Sequence, residues 1–511
     1  MTIVVSRRAL LGTGMLAVTG LVTAACGKGE NKEPAGKEST LKIGLSAPPA
    51  NLDPAKIGGE SLIYANLAYD PLIYRAPDGS HQPRLATAWR YTGSNNTGFE
   101  MTVRQGVVFS DGTKLDANTV KANLDYYRTT GGQAAPFLAA ISGIEVTGEH
   151  DLRFTLAAPH PLLPAVLSQD YFAGAMISPA ALASPAQLAT RTAGAGPYLL
   201  DMANTAAGDH YTYVRNPKYW NVGDIHYEKV TIKVLPNENT ALAALKTGQV
   251  DIITGSYATA PGAKSAGVQV AASPGICVGI QLNDRAGTLS KPLGDQRVRQ
   301  ALNFAVDREK ITKALLGDYG IPTEQPAAPG GDGHNPSNFY RYDPAEAKRL
   351  LTDAGHPHGF SLPVLISPDP FSANVVQAIG AQLEQVGVKL ELTQMDPAKG
   401  IAELAKYPAS VMGWGVLPAY FMGRGLWLGS AVGMNPFHSS DPTLEELDKR
   451  AAAADEASRA DLDRQIIRRV VELGWFLPVC LTPVFLFHRE SINLGTQAGK
   501  PLPAPVSWRP A

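Results

Sequence analysis

Two strand–helix–strand patterns, far apart in the chain, place the tightest constraint on its fold. The first spans residues 230–253, where Asn239 is expected to cap a helix that Gly248 ends before the second strand. The second spans residues 361–393, where Gly387 ends the helix. Parallel strands joined by a crossover helix bury both faces of their sheet, so each pattern requires helices packed on a sheet. The sequence therefore predicts two separate α/β lobes.

The length and composition agree with a folded chain of more than one lobe. A chain of 511 residues is too long for one compact core, and its 44% apolar and 18% charged residues are ordinary for a globular protein. The net charge of −1 at pH 7 argues against nucleic acid as a partner, because binding phosphates requires a surplus of lysine and arginine. Three cysteines are too few for a disulfide-dense scaffold or a cysteine-rich metal site.

The first 25 residues have the layout of a signal peptide. Arg7 and Arg8 open a basic region, and an apolar stretch too short to span a bilayer leads to small residues before Cys26. The paired arginines resemble a twin-arginine export signal. Cys26 resembles the cysteine of a bacterial lipoprotein box and would become the lipidated first residue, although Thr23 stands where leucine is usual. The alternative is a secreted protein with an incidental cysteine.

A polar and charged run follows at residues 26–40. Such a run cannot bury apolar surface, and we interpret it as a flexible tether that begins at the lipidated cysteine. No second apolar segment of about 20 residues follows it in the sequence. These features predict an exported protein that lipid holds to the outer face of the cytoplasmic membrane.

A series of short motifs follows in order along the rest of the chain. These are Leu52-Asp53-Pro54, Tyr69-Asp70-Pro71-Leu72, Pro83-Arg84-Leu85-Ala86, Gly194-Ala195-Gly196-Pro197-Tyr198, Asn216-Pro217-Lys218-Tyr219-Trp220 and Tyr342-Asp343-Pro344. In this order they resemble the solute-binding proteins of oligopeptide, dipeptide and nickel importers, extracellular solute-binding family 5. The likeness covers residues 41–500. We interpret the motif residues themselves as scaffold, because turns, helix caps and buried anchors account for them.

The resemblance implies a periplasmic-binding-protein-like α/β fold, with two hinged lobes and an extra N-terminal α+β domain. By position in the family, lobe I comprises residues 41–69, 194–283 and 487–511, the extra domain residues 70–193, and lobe II residues 284–486. In such a fold the ligand lies between the lobes, which close around it by a hinge movement.

The resemblance further implies that the chain is the substrate-binding lipoprotein of an ABC importer. It would capture a small peptide or peptide-like solute between its lobes and deliver it, as a monomer, to a permease in the cytoplasmic membrane. A metal–chelator complex of the nickel or opine type, or another non-peptide solute, is the alternative ligand. A surface lipoprotein without a role in transport is a more distant alternative, which tight binding of a small ligand would exclude.

The segment 411–427 is the candidate ligand-binding region, because related proteins place ligand-facing groups after the tryptophan equivalent to Trp414. Aromatic side chains suit stacking on a ligand, and arginine suits a carboxylate. The residues that we expect to contact the ligand are Trp414, Tyr420, Phe421, Arg424 and Trp427. An aromatic core patch with a solvated Arg424 is the alternative interpretation.

The candidate region departs from the peptide receptors of the family in one respect. Those receptors usually carry an aspartate close to the tryptophan, where it binds the amino group of the ligand, but residues 415–423 contain no acid. A buried ammonium group without a carboxylate partner is very unfavourable. Either another acid supplies the charge, with Glu60 as the candidate, or the ligand is not an ordinary peptide with a free amine.

Two further cysteines concern the connection between the lobes. The resemblance places Cys277 and Cys480 in the segments that cross from one lobe to the other. They could form a disulfide, because an exported protein meets an oxidising compartment, or they could remain as two buried thiols.

The sequence contains no motif of catalysis or of cofactor binding. Nucleophile elbows, zinc-protease motifs, phosphate-binding loops and Cys-x-x-Cys pairs are all absent from it, so we expect neither an enzyme nor a cofactor. The histidines are scattered, and His356-Pro357-His358 holds the only close pair, so we predict no metal site.

Overall fold

Short alternating runs of apolar residues form the strands of this protein, and longer amphipathic runs form its helices. The computed structural model describes residues 39–58, 61–93, 95–171, 173–336, 338–431, 433–495 and 505–511. They belong to the unit Glu38–Ala511.

The strands of the described residues are numbered in chain order. They are β1 (Thr40–Leu45), β2 (Ile73–Arg75), β3 (His81–Pro83), β4 (Ala86–Thr92), β5 (Gly98–Val103), β6 (Ile141–Val146), β7 (Asp151–Leu156), β8 (Tyr198–Leu200), β9 (His210–Arg215), β10 (Lys229–Val234), β11 (Ile252–Gly255), β12 (Gln269–Leu282), β13 (Ile321–Pro322), β14 (Phe360–Ile366), β15 (Val388–Gln394), β16 (Ala409–Gly415), β17 (Phe476–His488), β18 (Ile492–Asn493) and β19 (Arg509–Pro510).

The helices are numbered in the same way. They are α1 (Leu62–Ala68), α2 (Ala117–Thr130), α3 (Leu163–Val166), α4 (Pro179–Leu182), α5 (Glu238–Lys246), α6 (Ala260–Ser265), α7 (Gln296–Phe304), α8 (Arg308–Leu316), α9 (Pro344–Asp353), α10 (Pro370–Leu383), α11 (Pro397–Ala402), α12 (Ala419–Met422), α13 (Pro442–Ala453) and α14 (Glu456–Glu472). Many begin behind an aspartate that accepts a backbone N–H, as Asp116 does before α2 and Asp369 before α10.

One 11-stranded sheet passes through both α/β lobes in the order β15-β14-β16-β12-β17-β11-β1-β10-β9-β8, with β13 also paired to β17. The strands β1 and β10 are parallel, as are β14 and β15. Parallel neighbours of this kind are connected through helices that cover the sheet. The predicted fold class, two α/β lobes, is confirmed.

Both predicted strand–helix–strand units are present. In the first, β10 and β11 lie on either side of β1, and α5 connects them across it. The expected cap Asn239 is wrong by two residues, because Asn237 has the extended backbone of a capping residue and its Oδ1 accepts the Thr240 N–H at 3.0 Å. In the second, Gly387 ends the helical segment with a left-handed backbone, as expected.

The antiparallel pair β12 and β17 connects the two halves of the large sheet. The first half of β12 pairs with β17 beside β11, and its second half lies between β17 and β16. A register shift separates these halves between Pro274 and Ile276. A side chain at Gly275 would meet Cγ2 of Val484 at 2.3 Å, so the close approach of the strands requires glycine there. An irregularity of this kind bends a strand.

A separate four-stranded antiparallel sheet, in the order β4-β5-β7-β6, builds the extra domain. The helix α2 packs on this sheet, and both contribute to one apolar core that contains Phe99, Phe154 and Leu124. Lobe I and lobe II have separate apolar cores, which include strands of the large sheet. The domain boundaries predicted from the sequence remain a proposal, and we keep the names lobe I, lobe II and extra domain for those residues.

Candidate functional site

The candidate segment 411–427 starts in β16 and ends in a wide helical turn. Trp414 lies opposite Cys277 where β16 pairs with β12. After Pro418, the short helix α12 continues into a π-helical turn at Gly423–Trp427. Turns of this type are rare and often lie at functional sites.

Two of the predicted residues, Trp414 and Trp427, lie in the apolar core of lobe II. They are 4% and 1% exposed. Both rings contact Phe476 edge-on, with centroids 5.2 and 6.1 Å apart. The indole Nε1 of Trp414 donates to Oε1 of Gln281 at 3.2 Å. Contact of either tryptophan with a ligand stays a prediction.

Tyr420 and Phe421 instead reach the extra domain. The Tyr420 hydroxyl donates to the carbonyl of Pro159 at 2.7 Å. The Phe421 ring contacts Phe137 edge-on, with centroids 4.8 Å apart, and lies 5.5 Å from the ring of Tyr171. These two predicted residues therefore connect lobe II to the extra domain.

The same boundary contains His160, which the sequence did not single out. Its ring centroid lies 5.4 Å from that of Tyr420 and 6.1 Å from that of Phe421. Nε2 lies 2.7 Å from the carbonyl of Phe137, so this nitrogen carries the proton. Burial lowers the pKa of His160, which favours the neutral ring. Its Nδ1 has no hydrogen-bond partner among the residues that the structure describes.

The guanidinium of Arg424 is paired with an acid from a different helix. Nη1 and Nη2 donate to Oδ1 and Oδ2 of Asp448 on α13, at 2.9 and 3.1 Å. The guanidinium carbon also lies 3.6 Å from the ring centre of Tyr420. This bidentate pairing occupies the guanidinium donors that would suit the carboxylate of a ligand. A carboxylate is thus present next to this segment, but it is bound to Arg424.

Another carboxylate of lobe II, that of Asp463, interacts with Asp448. Burial raises the pKa of Asp463 to about 7 against the opposing charge of Arg459, and Asp332 and Asp448 add to the rise. Burial also raises the pKa of Asp448 itself, although Arg424 opposes the shift. Sequence reasoning missed Asp463. An aspartate among the apolar positions of an amphipathic helix was the available signal, since α14 buries it beside Leu462.

A small cavity lies where the extra domain faces the chain that follows Trp414. Its lining comes from Arg75 and Tyr171 of the extra domain and from Asp332 and residues 416–418 of lobe II, among others. The cavity measures about 20 Å³, which is the space of a single water molecule. One positive and one negative side chain, from opposite sides, therefore border the same space.

Further contacts join lobe II to the extra domain and to lobe I. Asn96 Nδ2 donates to the carbonyls of Ala452 and Ala454 at 3.1 and 3.0 Å. At a different place, the Tyr257 ring of lobe I lies 6.1 Å from the Phe371 ring of lobe II. Lobe II thus contacts the extra domain and lobe I in the structure.

Some predicted residues lie outside the described part of the chain, namely Arg7, Arg8, Cys26 and Glu60. Within the described ranges, no helix is both long and apolar enough to cross a membrane. The same ranges contain no group of three or more histidine, cysteine, aspartate or glutamate side chains that could hold a metal ion.

The disulfide considered for Cys277 and Cys480 is not formed. Both are buried free thiols. Along the paired strands β12 and β17, Cys277 lies opposite Leu481, and Val278 lies opposite Cys480. The two cysteines are therefore offset by one residue pair. Because successive side chains of a strand point to opposite faces, the sulfur atoms face different cores of lobe II.

A thiol titration checks the free state of these two cysteines. With Cys26 replaced by serine, the unreduced chain should release two thiol equivalents once guanidinium unfolds it. The folded chain should react at least about 100-fold more slowly, since burial raises the pKa of both thiols, that of Cys480 to about 12, and only the thiolate reacts. Two thiols that become titratable only after reduction would show that the bond exists.

The comparisons with known proteins agree on one family. A model of the bacterial extracellular solute-binding proteins, family 5, middle region, matches residues 81–427. The glutathione-binding protein GsiB of Salmonella paratyphi A is 31% identical over 312 residues, and that of Escherichia coli is 31% identical over 313 residues. Each match spans 60% of this chain and 60% of the length of the relative.

Solved structures match over nearly the whole described chain. The periplasmic binding protein AgaA of A. tumefaciens R10, in complex with agropinic acid, has a TM-score of 0.73 at 25% identity, and the match covers 92% of this chain and 99% of AgaA. HbpA2 of Haemophilus parasuis has a TM-score of 0.82 at 21% identity and is covered completely (100%), together with 92% of this chain. The latter similarity concerns the fold alone.

Proposed function

Because this chain belongs to family 5 of the bacterial extracellular solute-binding proteins, we propose that it is the receptor of an ABC importer. It binds a small peptide or peptide-like solute between its lobes and delivers it to a permease in the cytoplasmic membrane. No step of chemistry on the solute is part of this role, and the relatives named above are binding proteins. The receptor acts as a monomer.

One structural observation supports this proposal most strongly. The halves of the large sheet are joined by β12 and β17, whose register changes between Pro274 and Ile276. A movement about this point changes the distance between the lobes without breaking either core. Ile276 lies at the bend and is 45% exposed, whereas every later residue of β12 is buried. An exposed apolar side chain beside a hinge suits the floor of a ligand cleft.

The aromatic residues of segment 411–427 support a binding site at the boundary of lobe II and the extra domain. We assign Tyr420 and Phe421 to the wall of this site, and Arg424 to its support, because Asp448 already occupies the guanidinium. Trp414 and Trp427 pack in the core of lobe II and support this wall. Glu60 remains a proposed source of negative charge.

Glutathione is the ligand with which the proposal is tested first. The relatives that are 31% identical are glutathione-binding proteins. Glutathione is a small peptide with one ammonium group and two carboxylates, so it belongs to the proposed ligand class. Since the match spans 60% of those relatives, this assignment is a hypothesis about the present chain.

An opine-type solute is the second candidate. AgaA, which is 25% identical and matched over 99% of its length, was solved with agropinic acid. Such a ligand agrees with the absence of acids from residues 415–423, because it does not require a partner for a free peptide amine.

We further propose that the chain is exported and anchored. The signal-like residues 1–25 with Arg7 and Arg8 direct export, and a lipid on Cys26 holds the folded part at the outer face of the cytoplasmic membrane. The tether 26–40 then leaves the receptor free to meet its permease.

Calorimetric titration of the purified chain tests the receptor role. Glutathione or agropinic acid is expected to bind with 1:1 stoichiometry and a dissociation constant of about 10 µM or lower. Ligand at 100 times the dissociation constant should stabilise the fold by about 2.7 kcal/mol, which thermal unfolding measures. If neither compound binds at about 1 mM, the proposed ligand classes are wrong.

Replacing Phe421 with alanine should weaken the binding of the ligand identified in that titration. The Phe421 ring connects lobe II to Phe137 and Tyr171 of the extra domain, so its loss should cost about 1–3 kcal/mol of binding free energy. Tyr342→Ala is the control, because this aromatic side chain of lobe II is 44% exposed. Equal affinities of the Phe421 variant and the control would remove Phe421 from the site.

A further inference from the structure

Lobe II holds the backbone of the extra domain on both sides of His160. The carbonyl of Pro159, just before it, accepts from the Tyr420 hydroxyl at 2.7 Å. The carbonyl of Pro161, just after it, accepts from Nη1 of Arg459 on α14 at 3.2 Å. Two side chains from different helices of lobe II therefore fix one short loop of the extra domain.

The ring of His160 lies inside this contact. It is 2% exposed, and it packs against the rings of Tyr420 and Phe421 of lobe II. Next to it, Leu162 of the extra domain joins Tyr420 and Ala452 of lobe II in one apolar cluster. Water cannot hydrate the ring while the extra domain and lobe II touch, so a charge on the ring would be very unfavourable there.

The hydrogen bonds of His160 also fit only the neutral ring. Nε2 donates to the carbonyl of Phe137 at 2.7 Å, whereas the buried Nδ1 has no partner in the described ranges. A second proton on Nδ1 would create a buried N–H without an acceptor. Separation of lobe II from the extra domain would give water access to this nitrogen. The protonated ring therefore favours the separated arrangement.

The charged groups around His160 strengthen this preference. Burial lowers the pKa of the ring most, and the cation Arg424 of lobe II lowers it further. Asp448 on α13 does not offset this effect, because it is paired with Arg424. On α14, Asp463 lies 3.8 Å from Arg459, and burial raises the pKa of this aspartate to about 7. Asp463 is therefore largely neutral in the acid range in which a histidine gains its proton.

The other titratable groups of this boundary do not reverse the preference. Burial raises the pKa of three tyrosines, so that their hydroxyls stay neutral, namely Tyr91, Tyr171 and Tyr420. Burial also lowers the pKa of His81 on β3. The charges that act on His81 are two acids and two arginines, Glu456, Asp170, Arg75 and Arg459. A protonated His81 thus has acids beside it, in contrast to a protonated His160.

We propose that the contact between lobe II and residues 159–161 is a proton-sensitive latch, which holds the two together while His160 is neutral and opens when its ring is protonated. The receptor then releases its solute in acid. This consequence rests on the proposed receptor function, whereas the opening is a property of the empty chain. Because the open form binds more protons, closure becomes less favourable as the pH falls below about 6.5, and it is unaffected above about pH 7.

The distance between the extra domain and lobe II in the ligand-free chain tests the latch. Spin labels are attached to cysteines that replace Glu145 and Arg468, whose side chains are 67% and 65% exposed, in a chain with Cys26→Ser. The two remaining cysteines are buried. Double electron–electron resonance should give one short distance at pH 7.5. At pH 5, a longer distance should account for about half of the molecules or more.

Three variants assign the opening to this histidine. His160→Gln keeps a donor for the carbonyl of Phe137 but takes up no proton, so it should retain the short distance at both pH values. Asn96→Gly removes two hydrogen bonds to lobe II and suits the left-handed backbone of residue 96. It should open at a higher pH than the wild type, because the latch is weaker. His210→Gln, at a lobe I side chain that is 36% exposed, is the control and should open like the wild type.

Calorimetry with glutathione separates the latch from the proposed function. The charges of glutathione do not change between pH 5 and 7, so the wild type should bind it about 3–20-fold more weakly at pH 5, and His160→Gln about equally at both. A distance that does not depend on pH, or equal opening in His160→Gln, would overturn the latch whether or not glutathione binds. Opening through His160 in a chain that binds no glutathione at either pH would support the latch and contradict the peptide form of the proposed function.

Discussion

Replacing Asp70 with asparagine is expected to destabilise the protein by about 3–5 kcal/mol, because it removes the charge opposite a buried arginine. Oδ1 of Asp70 accepts from Nε of Arg84 at 2.7 Å. Its Oδ2 accepts from Trp220 Nε1 at 2.7 Å and from the Tyr219 hydroxyl at 3.2 Å. Asp70 is 2% exposed and Arg84 is 7% exposed, so water cannot replace these contacts.

The network joins the extra domain to lobe I. Arg84 also contacts Asp224 and the Tyr219 hydroxyl, and both belong to lobe I. Burial disfavours the charged guanidinium, but the charge of Asp70, together with Tyr219 and Asp224, outweighs this effect and raises the pKa of Arg84. In the variant, Asp224 is the remaining carboxylate partner of Arg84.

Urea unfolding followed by circular dichroism measures this effect. The midpoint of Asp70→Asn should fall, and the slope of the transition should stay unchanged. Glu145→Gln is the matched control, because Glu145 is 67% exposed and lies 3.6 Å from Arg153, a surface pair worth at most about 1 kcal/mol. A loss of less than about 1 kcal/mol in Asp70→Asn would show that the network does not hold the domains together.

The sequence predicted the elements of the fold better than the contacts between them. The pattern at 361–393 depends on local periodicity and on Gly387, and the structure reproduces it as β14, α10 and β15. The cap of α5 was placed at Asn239, but Asn237 caps the helix. Both residues are suitable, and only the local backbone angles decide between them.

The candidate site depends on contacts that are not local in sequence. Asp448 pairs with Arg424 from another helix, so no pattern within residues 415–423 indicates it. The two cysteines could not be assigned from the sequence, because the face on which each lies depends on the register of β12 and β17. Aromatic residues next to glycine suit a core as well as a cleft. Only the structure shows that Trp414 packs in the core of lobe II, whereas Phe421 packs against the extra domain.

Asp463 should make the protein less stable as the pH rises, in contrast to an ordinary surface aspartate. Its pKa is raised to about 7 in the folded state, chiefly by burial, and an unfolded aspartate has a pKa of about 3.9. Below about pH 4 both states hold the proton. Between about pH 4 and 7 only the folded state holds it, so the stabilising effect of protonation is lost progressively as the pH rises through this range.

Asp463→Asn should remove this pH dependence, because asparagine has no proton to release. Between pH 5 and 8 the wild type should lose about 2–3 kcal/mol of unfolding free energy that the variant retains, as judged by urea unfolding at each pH. Titrating groups that do not interact with Asp463, such as His160, are present in both chains and cancel in the difference. Asp461→Asn is the control on the same helix, since the side chain of Asp461 is 62% exposed. Parallel pH profiles of Asp463→Asn and the wild type would mean that Arg459, whose Nε lies 3.8 Å from Oδ2, already compensates the buried charge.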